Sequence, residues 1–363
     1  MTTTAPRRSQ KGSFRDRLLR LAGTVTTPLL PGDYLDLIAP LRAGAPLRGR
    51  IVAVRPETPD AATLVIQPGR GWRGHLPGQY VRLGVDVDGV RQWRAYSVTS
   101  PPGAADGRIA VTVKAIEDGK VSNHLVRRIR PGTIVQLDQA QGEFVLPTTT
   151  PERVLFLTAG SGITPVMGML RAGLAERADV VLVHSAPTRD DVIFGAELRA
   201  LAARGAVRLV ERHTDTSGLL DVAELDELVP DHARRHTWAC GPIGMLDAVE
   251  GYWTSKGVIE LLHTERFRPT VITPGDGGTV TFSGAGVTVE ADGATTLLDA
   301  GENAGVLMPS GCRMGICFGC VVPLRQGAVR DLRNGDVTTA VPGDGVRIQT
   351  CVSAAAGTCD IEL

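Results

Sequence analysis

Apolar and polar positions change texture three times along this 363-residue chain. From Arg48 to about Pro147, short runs such as Arg50-Ile-Val-Ala-Val-Arg55 and Ala62-Thr-Leu-Val-Ile-Gln67 are rich in β-branched residues and bounded by turn residues. Arg108-Ile-Ala-Val-Thr-Val-Lys114 and Thr133-Ile-Val-Gln-Leu-Asp138 repeat the pattern. Branched side chains fit a pleated surface, so these runs predict strands. Several strands at short spacing predict a small antiparallel barrel. From Arg153 the texture becomes strand-helix-strand. Val154-Leu-Phe-Leu-Thr158, Asp179-Val-Val-Leu-Val-His184 and Val207-Arg-Leu-Val-Glu211 predict strands, while Val166–Leu174 and Glu197–Ala203 carry helical spacing. Such alternation predicts a parallel sheet covered by helices on both faces. A Pro- and Gly-rich stretch, Arg268 to Gly278, follows. Beyond it, Thr279–Phe282 and Val287–Glu290 predict a hairpin, and Leu297–Gly305 a short helix.

These shifts divide the chain into an N-terminal extension (1–47), a β-barrel (48–148), an α/β domain (149–268), a linker (269–277) and a last domain (278–363). A prior of roughly 150 residues per domain accommodates that division. In the extension, Phe14-Arg-Asp-Arg-Leu-Leu-Arg-Leu21 has helical spacing. It reads as a small element packed on the first domain, with a docking segment for a partner or a membrane surface as the alternative.

Composition narrows the function classes. The chain is 43% hydrophobic, and its 39 Lys+Arg balance its 39 Asp+Glu. A zero net charge argues against a nucleic-acid partner, which calls for a basic patch. No apolar run reaches the ~18 residues of a membrane span, and the first residues lack the apolar core of a secretory signal. Six cysteines in a chain of this length make no disulfide scaffold. A cytoplasmic protein is expected, with at most peripheral membrane contact through a partner.

The cysteines are the most specific chemistry. Cys312, Cys317, Cys320 and Cys351 form C-x4-C-x2-C, a long gap, then C. That is the ligand spacing of a plant-type [2Fe–2S] cluster. Zinc sites pair two short C-x2-C knuckles, and this chain has one. Gly311, Gly315 and Gly319 let backbone N–H groups approach the sulfurs, and Arg313 sits inside the loop to offset the negative charge. Cys359 falls outside the pattern and reads as a buried core thiol. The segment Ser310–Cys320 resembles the cluster loop of plant-type ferredoxins, which implies a β-grasp α+β fold for the last domain.

Further motifs carry a second resemblance. Arg94-Ala-Tyr-Ser97 resembles the R-x-Y-S flavin motif of the ferredoxin–NADP reductase family. The guanidinium of Arg94 suits a flavin phosphate, Tyr96 offers a ring and hydroxyl to the ribityl chain, and Ser97 can bond flavin N5. Gly119-Lys-Val-Ser122 resembles the family's second phosphate contact, with Gly119, Val121 and Ser122 facing the pyrophosphate. Lys114 matches a further flavin contact. The G-x-V-S-x-x-L form is closer to FAD-binding than to FMN-binding members. Thr158-Ala-Gly-Ser-Gly-Ile-Thr-Pro165 resembles the family's nicotinamide loop, with Gly160, Gly162 and Thr164 at the nucleotide and proline placed for a helix start. Cys240-Gly241-Pro242 resembles the turn beside the nicotinamide ring. Thr264-Glu-Arg-Phe267 resembles the family's terminal E-x-F, which brings Glu265 and Phe267 to the flavin.

The resemblance thus implies catalytic roles for Ser97, Cys240, Glu265 and Phe267, with FAD, a [2Fe–2S] cluster and NADPH as cofactors. Ser185, Arg189 and Arg212 lie where a 2′-phosphate would bind, although Asp190 and Asp191 are nearby and NADH stays open. The implied order is a hydride to flavin N5, then single electrons to the cluster, then a protein acceptor. The module order is similar to reductase partners of fatty-acyl desaturases. Reductases of ring-hydroxylating oxygenases, other hydroxylases and P450 systems share it. A redox-sensing module is the reading from another class, and it would not sustain turnover.

Overall fold

The computed structural model describes residues 35, 38–117, 119–267, 276–311, 313, 315 and 318–363. The expected helix Phe14–Leu21, most of the linker, and Cys312 and Cys317 lie outside the described residues.

The first domain is built from β1 (Arg48–Thr58), β2 (Ala61–Pro68), β3 (Tyr80–Val87), β4 (Val90–Ser97), β5 (Ile109–Lys114) and β6 (Ile134–Leu137). All neighbours are antiparallel, in the order β4-β3-β6-β1-β2-β5. A bridge between Val98 and Val111 joins the two outer strands and closes the sheet on itself. Ile51, Leu64, Leu83, Val111 and Leu137 fill the inside. The β3–β4 hairpin turns on Asp88-Gly89, both at positive φ (52° and 82°). Asp-Gly suits a tight turn of this hand, and the turn fixes the register that sets Arg94 opposite Leu83 and Ser97 opposite Tyr80.

The second domain contains β7 (Arg153–Ala159), β8 (Asp179–Ala186), β9 (Arg208–His213), β10 (His236–Cys240) and β11 (Leu262–Glu265). They form a parallel sheet in the order β11-β10-β7-β8-β9. Buried on both faces, the strands read as near-continuous apolar runs. Helices Ile163–Arg171 and Ile243–Ser255 contribute to separate cores, one around Phe156 and Trp238, the other around Leu157 and Trp253. The first of these helices also packs on the barrel. A Cβ at Gly168 would meet the Val98 carbonyl, and Arg171 donates to the Thr99 carbonyl at 2.9 Å.

The third domain holds β12 (Gly278–Phe282), β13 (Val287–Ala291), β14 (Val321–Asp331), β15 (Val337–Ala340), β16 (Arg347–Gln349) and β17 (Ser353–Ile361). Its sheet is mixed, because β12 runs parallel to β17 while the other pairs are antiparallel. Helix Leu297–Asn303 is capped by Thr296, whose hydroxyl accepts from the Asp299 N–H at 3.1 Å. It covers a core of Phe282, Leu298, Val322, Leu324 and Ile361. Cys359 lies in that core at 2% exposure, and burial raises its thiol to about 11. Among the described residues no helix is long and apolar enough to cross a membrane.

Candidate flavin, nucleotide and cluster sites

Strand order creates the first crevice. The chain runs from β7 outward through β8 and β9, then returns to β10 and β11 on the other side of β7. Such a reversal leaves a gap at the carboxyl ends of the two diverging strands, where ligands bind in open α/β sheets. The Gly160–Gly162 turn and Cys240-Gly241-Pro242 both leave the sheet at this gap. A Cβ at Gly162 would collide with the Cys240 carbonyl, so only glycine allows the two turns to touch. Gly160 has a φ of 53° and open space above it. Thr164 bonds the Ser161 carbonyl at 2.9 Å and tightens the turn into helix Ile163–Arg171. Pro242 precedes helix Ile243–Ser255.

Register aligns a polar row along this edge. Glu265 pairs with Cys240, Cys240 with Thr158, Thr158 with His184, and His184 with Glu211. Cys240 is fully buried, and burial together with Glu265 drives its thiol far up. It is therefore a neutral shape-forming group rather than a thiolate nucleophile. Glu265 is partly exposed as a residue, but its Oε2 is shut off from solvent and has no partner among the described residues. Burial lifts this carboxyl to about 8. His184 bonds Thr158 Oγ1 through Nδ1 at 2.8 Å, and burial holds it down to about 4. Sequence reasoning missed the His184–Thr158 pair, because it arises from cross-strand register.

The barrel carries the residues expected at a flavin. Ser97 is 3% exposed, and its Oγ is another buried polar atom without a partner among the described residues. Burial raises the Tyr96 phenol. Burial, then repulsion from Arg313, lowers Arg94 to about 10. Lys114 ends β5 in an ion pair with Asp60 at 3.2 Å. Gly119 begins a single α-turn, Lys120–Asn123, which passes into a π-turn, His124–Arg128. Val121 is buried there, and Ser122 Oγ donates to the Gly119 carbonyl at 3.2 Å. A cavity of about 200 Å³ beside this turn is lined by Asp88, Lys120, His124 and Arg128. Phe267 lies two residues beyond Glu265 and is 36% exposed. The buried, unpaired Ser97 and Glu265 atoms, with a cationic Arg94 two residues before Ser97's neighbour Tyr96, fit a flavin.

The three residues expected at a 2′-phosphate part company. Ser185 Oγ is buried and unpartnered among the described residues. Arg189 lines a cavity of about 450 Å³ with Glu57, Asp190, Glu197 and Arg199. Arg212 instead donates to the Ser217, Gly218 and Leu219 carbonyls and to Glu224 at 2.6 Å. Its guanidinium braces that loop.

In the third domain, Cys320 and Cys351 are buried with their sulfurs 3.2 Å apart. That is well beyond a disulfide bond of about 2.0 Å and brings two of the four expected ligand thiols to one point. Thr350 holds them there, since its N–H and its hydroxyl both donate to the Cys320 carbonyl. The loop is tied down at Gly315, whose carbonyl accepts from Arg333 at 3.2 Å and Gln349 at 2.9 Å. A Cβ there would strike Arg333, and φ is 74°. This donor pair, on a loop returning to a distant strand, fits a cluster. Arg313 bonds Asp299 at 3.0 Å and Glu302, two partners that the sequence pattern did not single out.

Comparison with known proteins gives the same three parts in the same order. An oxidoreductase FAD-binding domain matches residues 62–146, an oxidoreductase NAD-binding domain residues 156–251, and a 2Fe-2S iron-sulfur cluster binding domain residues 280–356. The chain is 52% identical over 353 residues to an NADPH oxidoreductase of Mycobacterium tuberculosis, covering 95% of this chain and 92% of that one. It is 30% identical over 309 residues to the glycine betaine monooxygenase reductase subunit of Chromohalobacter salexigens, covering 76% and 84%. In fold it is similar to phthalate dioxygenase reductase, with a TM-score of 0.59 at 23% identity over 87% of this chain and 97% of that one.

Proposed function

This chain belongs to the ferredoxin–NADP reductase-like flavoproteins with a C-terminal [2Fe–2S] domain, NAD(P)H oxidoreductases that use FAD and the cluster, and we propose that it draws on NADPH and serves an oxygenase component. The observation that carries the electron path is the Gly162–Cys240 contact. It makes the nucleotide turn and the Cys-Gly-Pro turn into one crevice, with Glu265 beside it and helix Ile163–Arg171 leading back to the Ser97 strand.

When bound, FAD accepts a hydride and releases its electrons one at a time, and the cluster carries them singly. Arg94 anchors the flavin phosphate. Ser97 Oγ orients the flavin edge that takes the hydride, and Cys240 shapes the approach of the nicotinamide. Glu265, protonated at neutral pH, holds at Oε2 the proton that must enter or leave when the flavin changes charge. Phe267 covers the ring. Cys312, Cys317, Cys320 and Cys351 hold the cluster.

Two finer points rest on separate support. For NADPH, the support is the buried Ser185 hydroxyl, the Arg189 cavity and the name of the 52%-identical relative. For the acceptor, the sequence favoured a fatty-acyl desaturase, and that reading finds no support among the named relatives. The glycine betaine monooxygenase reductase subunit and phthalate dioxygenase reductase support an oxygenase instead.

Anaerobic addition of NADPH or NADH to the purified protein tests this. Flavin bands over a broad cluster absorbance are expected, and both should bleach faster with NADPH. Protein prepared anaerobically without cluster absorbance would sink the path, and equal rates would remove the 2′-phosphate argument. Reconstitution with a purified oxygenase component, with a desaturase in parallel, reads out the acceptor.

A further inference from the structure

One helix runs from the glycine turn of the second domain to the barrel segment that follows Ser97. Ile163–Arg171 begins directly after the Gly160–Gly162 turn and, at nine residues, is about 13 Å long. Its second half lies on the barrel. A Cβ at Gly168 would collide with the Val98 carbonyl, and one at Gly78 would crowd Met169. Arg171, the last residue of the helix, donates from Nη1 to the Thr99 carbonyl at 2.9 Å. Thr99 is fully buried two residues beyond Ser97, and its N–H is bonded to the Ala110 carbonyl at 2.8 Å.

The same guanidinium is fixed from a second side. Its Nε and Nη2 groups form a two-pronged pair with Glu197 at 2.9 and 2.6 Å. Its carbon lies 4.7 Å from the centre of the Phe194 ring. Phe194 has a φ of 61°, a left-handed conformation costly for a bulky residue. Such strain persists where the surroundings over-determine it. Phe194 leads into helix Gly195–Ala203, which carries Glu197. Phe194, Gly195 and Glu197 line the cavity of about 450 Å³ that Arg189 shares with Pro56 and Glu57 of the barrel. One planar group therefore ties together the barrel, its own helix and the cavity wall. A guanidinium presents donors in a rigid fork suited to this, and an ammonium does not.

We propose that Arg171 is a positioning residue for hydride transfer. It locks the far end of the helix to the segment after Ser97, so that a nicotinamide bound at the Gly160–Gly162 turn and a flavin bound at Ser97 keep a reactive separation. Arg171 acts through the helix and through Thr99. Misplacing reactants by about 1 Å can cost a hundredfold in rate, so the lock works on the chemical step rather than on nucleotide affinity. The hydride carries its electron pair from nicotinamide to flavin whether or not the lock is present, and only the separation changes. The inference rests on the flavin reading above and adds to it the element that sets the distance to the nucleotide.

The test uses full-length protein with FAD and cluster bound, and follows anaerobic bleaching of the flavin by NADPH in a stopped-flow instrument. Arg171→Met keeps an apolar stem and removes every donor. Its limiting rate should fall about tenfold, while the NADPH concentration at half-maximal rate stays within about twofold of wild type. Amide hydrogen exchange, read without turnover, should quicken at Val98 and Thr99 and stay unchanged in the third domain. A raised half-saturation at the wild-type limiting rate would overturn the proposal, because Arg171 would then serve the cavity through Glu197. Ser97→Ala, run in parallel, separates the two readings. If it slows the limiting rate and Arg171→Met does not, the lock is overturned while the flavin site stands. If neither does, the flavin reading falls and the lock with it. Should the methionine variant lose its flavin, Arg171→Lys keeps the charge and loses the fork. It should lower the limiting rate by a smaller factor, and the wild-type limiting rate would overturn the proposal.

Discussion

Burial holds the Glu265 carboxyl up to about 8, against an ordinary 4.5, so it carries a proton at neutral pH. The sign of the linkage follows. Between those two values the folded chain binds more protons than the unfolded chain, so stability falls as pH rises through the window. Glu265→Gln removes the titration. In urea unfolding of flavin-free protein, the variant should gain on wild type between about pH 4.5 and 8, at up to about 1.4 kcal/mol per pH unit. Parallel curves would show that Glu265 titrates normally. Single residues were legible where a motif names a chemical type. Arg94, Ser97 and Cys240 were singled out this way, and the structure puts each in a buried or half-buried setting. Arg212 shows where that reasoning stops. The sequence offers a cation after a strand, but the conformation of Ser217–Leu219 decides what the cation binds.

Strands and turns were legible wherever local chemistry decides them. The alternating strands of the barrel are examples, whereas the Asp88-Gly89 turn was not singled out. The polar row from Glu265 to Glu211 was hidden, because it depends on strand order and parallel register rather than on neighbours in sequence. Gly162 shows how one position joins two elements. A methyl group there would run into the Cys240 carbonyl and sit 3.0 Å from the Gly241 nitrogen. Gly162→Ala must push the turns apart, at a cost of about 1–3 kcal/mol typical of overpacking. We expect a lower melting temperature and slower flavin reduction by NADPH, with reduction by dithionite unchanged. An unaltered NADPH rate would show that the crevice does not need this contact.

The barrel and the parallel sheet were readable from hydrophobic texture, while the last domain's fold and chemistry came from its cysteine loop and the resemblance it carries. How the domains meet was not readable, because those contacts join residues distant in the chain. Arg171 to Thr99 and Trp238 to Val145 are such contacts. They join the barrel to the parallel-sheet domain, and the path from paired to single electrons runs on from there to the cluster domain. Cys320→Ser tests that path most directly. In steady-state assays, the variant should keep NADPH-driven reduction of ferricyanide, taken from the flavin, and lose at least about tenfold in cytochrome c reduction. Cytochrome c reduction at the wild-type rate would contradict the account, because electrons would then leave the flavin without passing through the cluster.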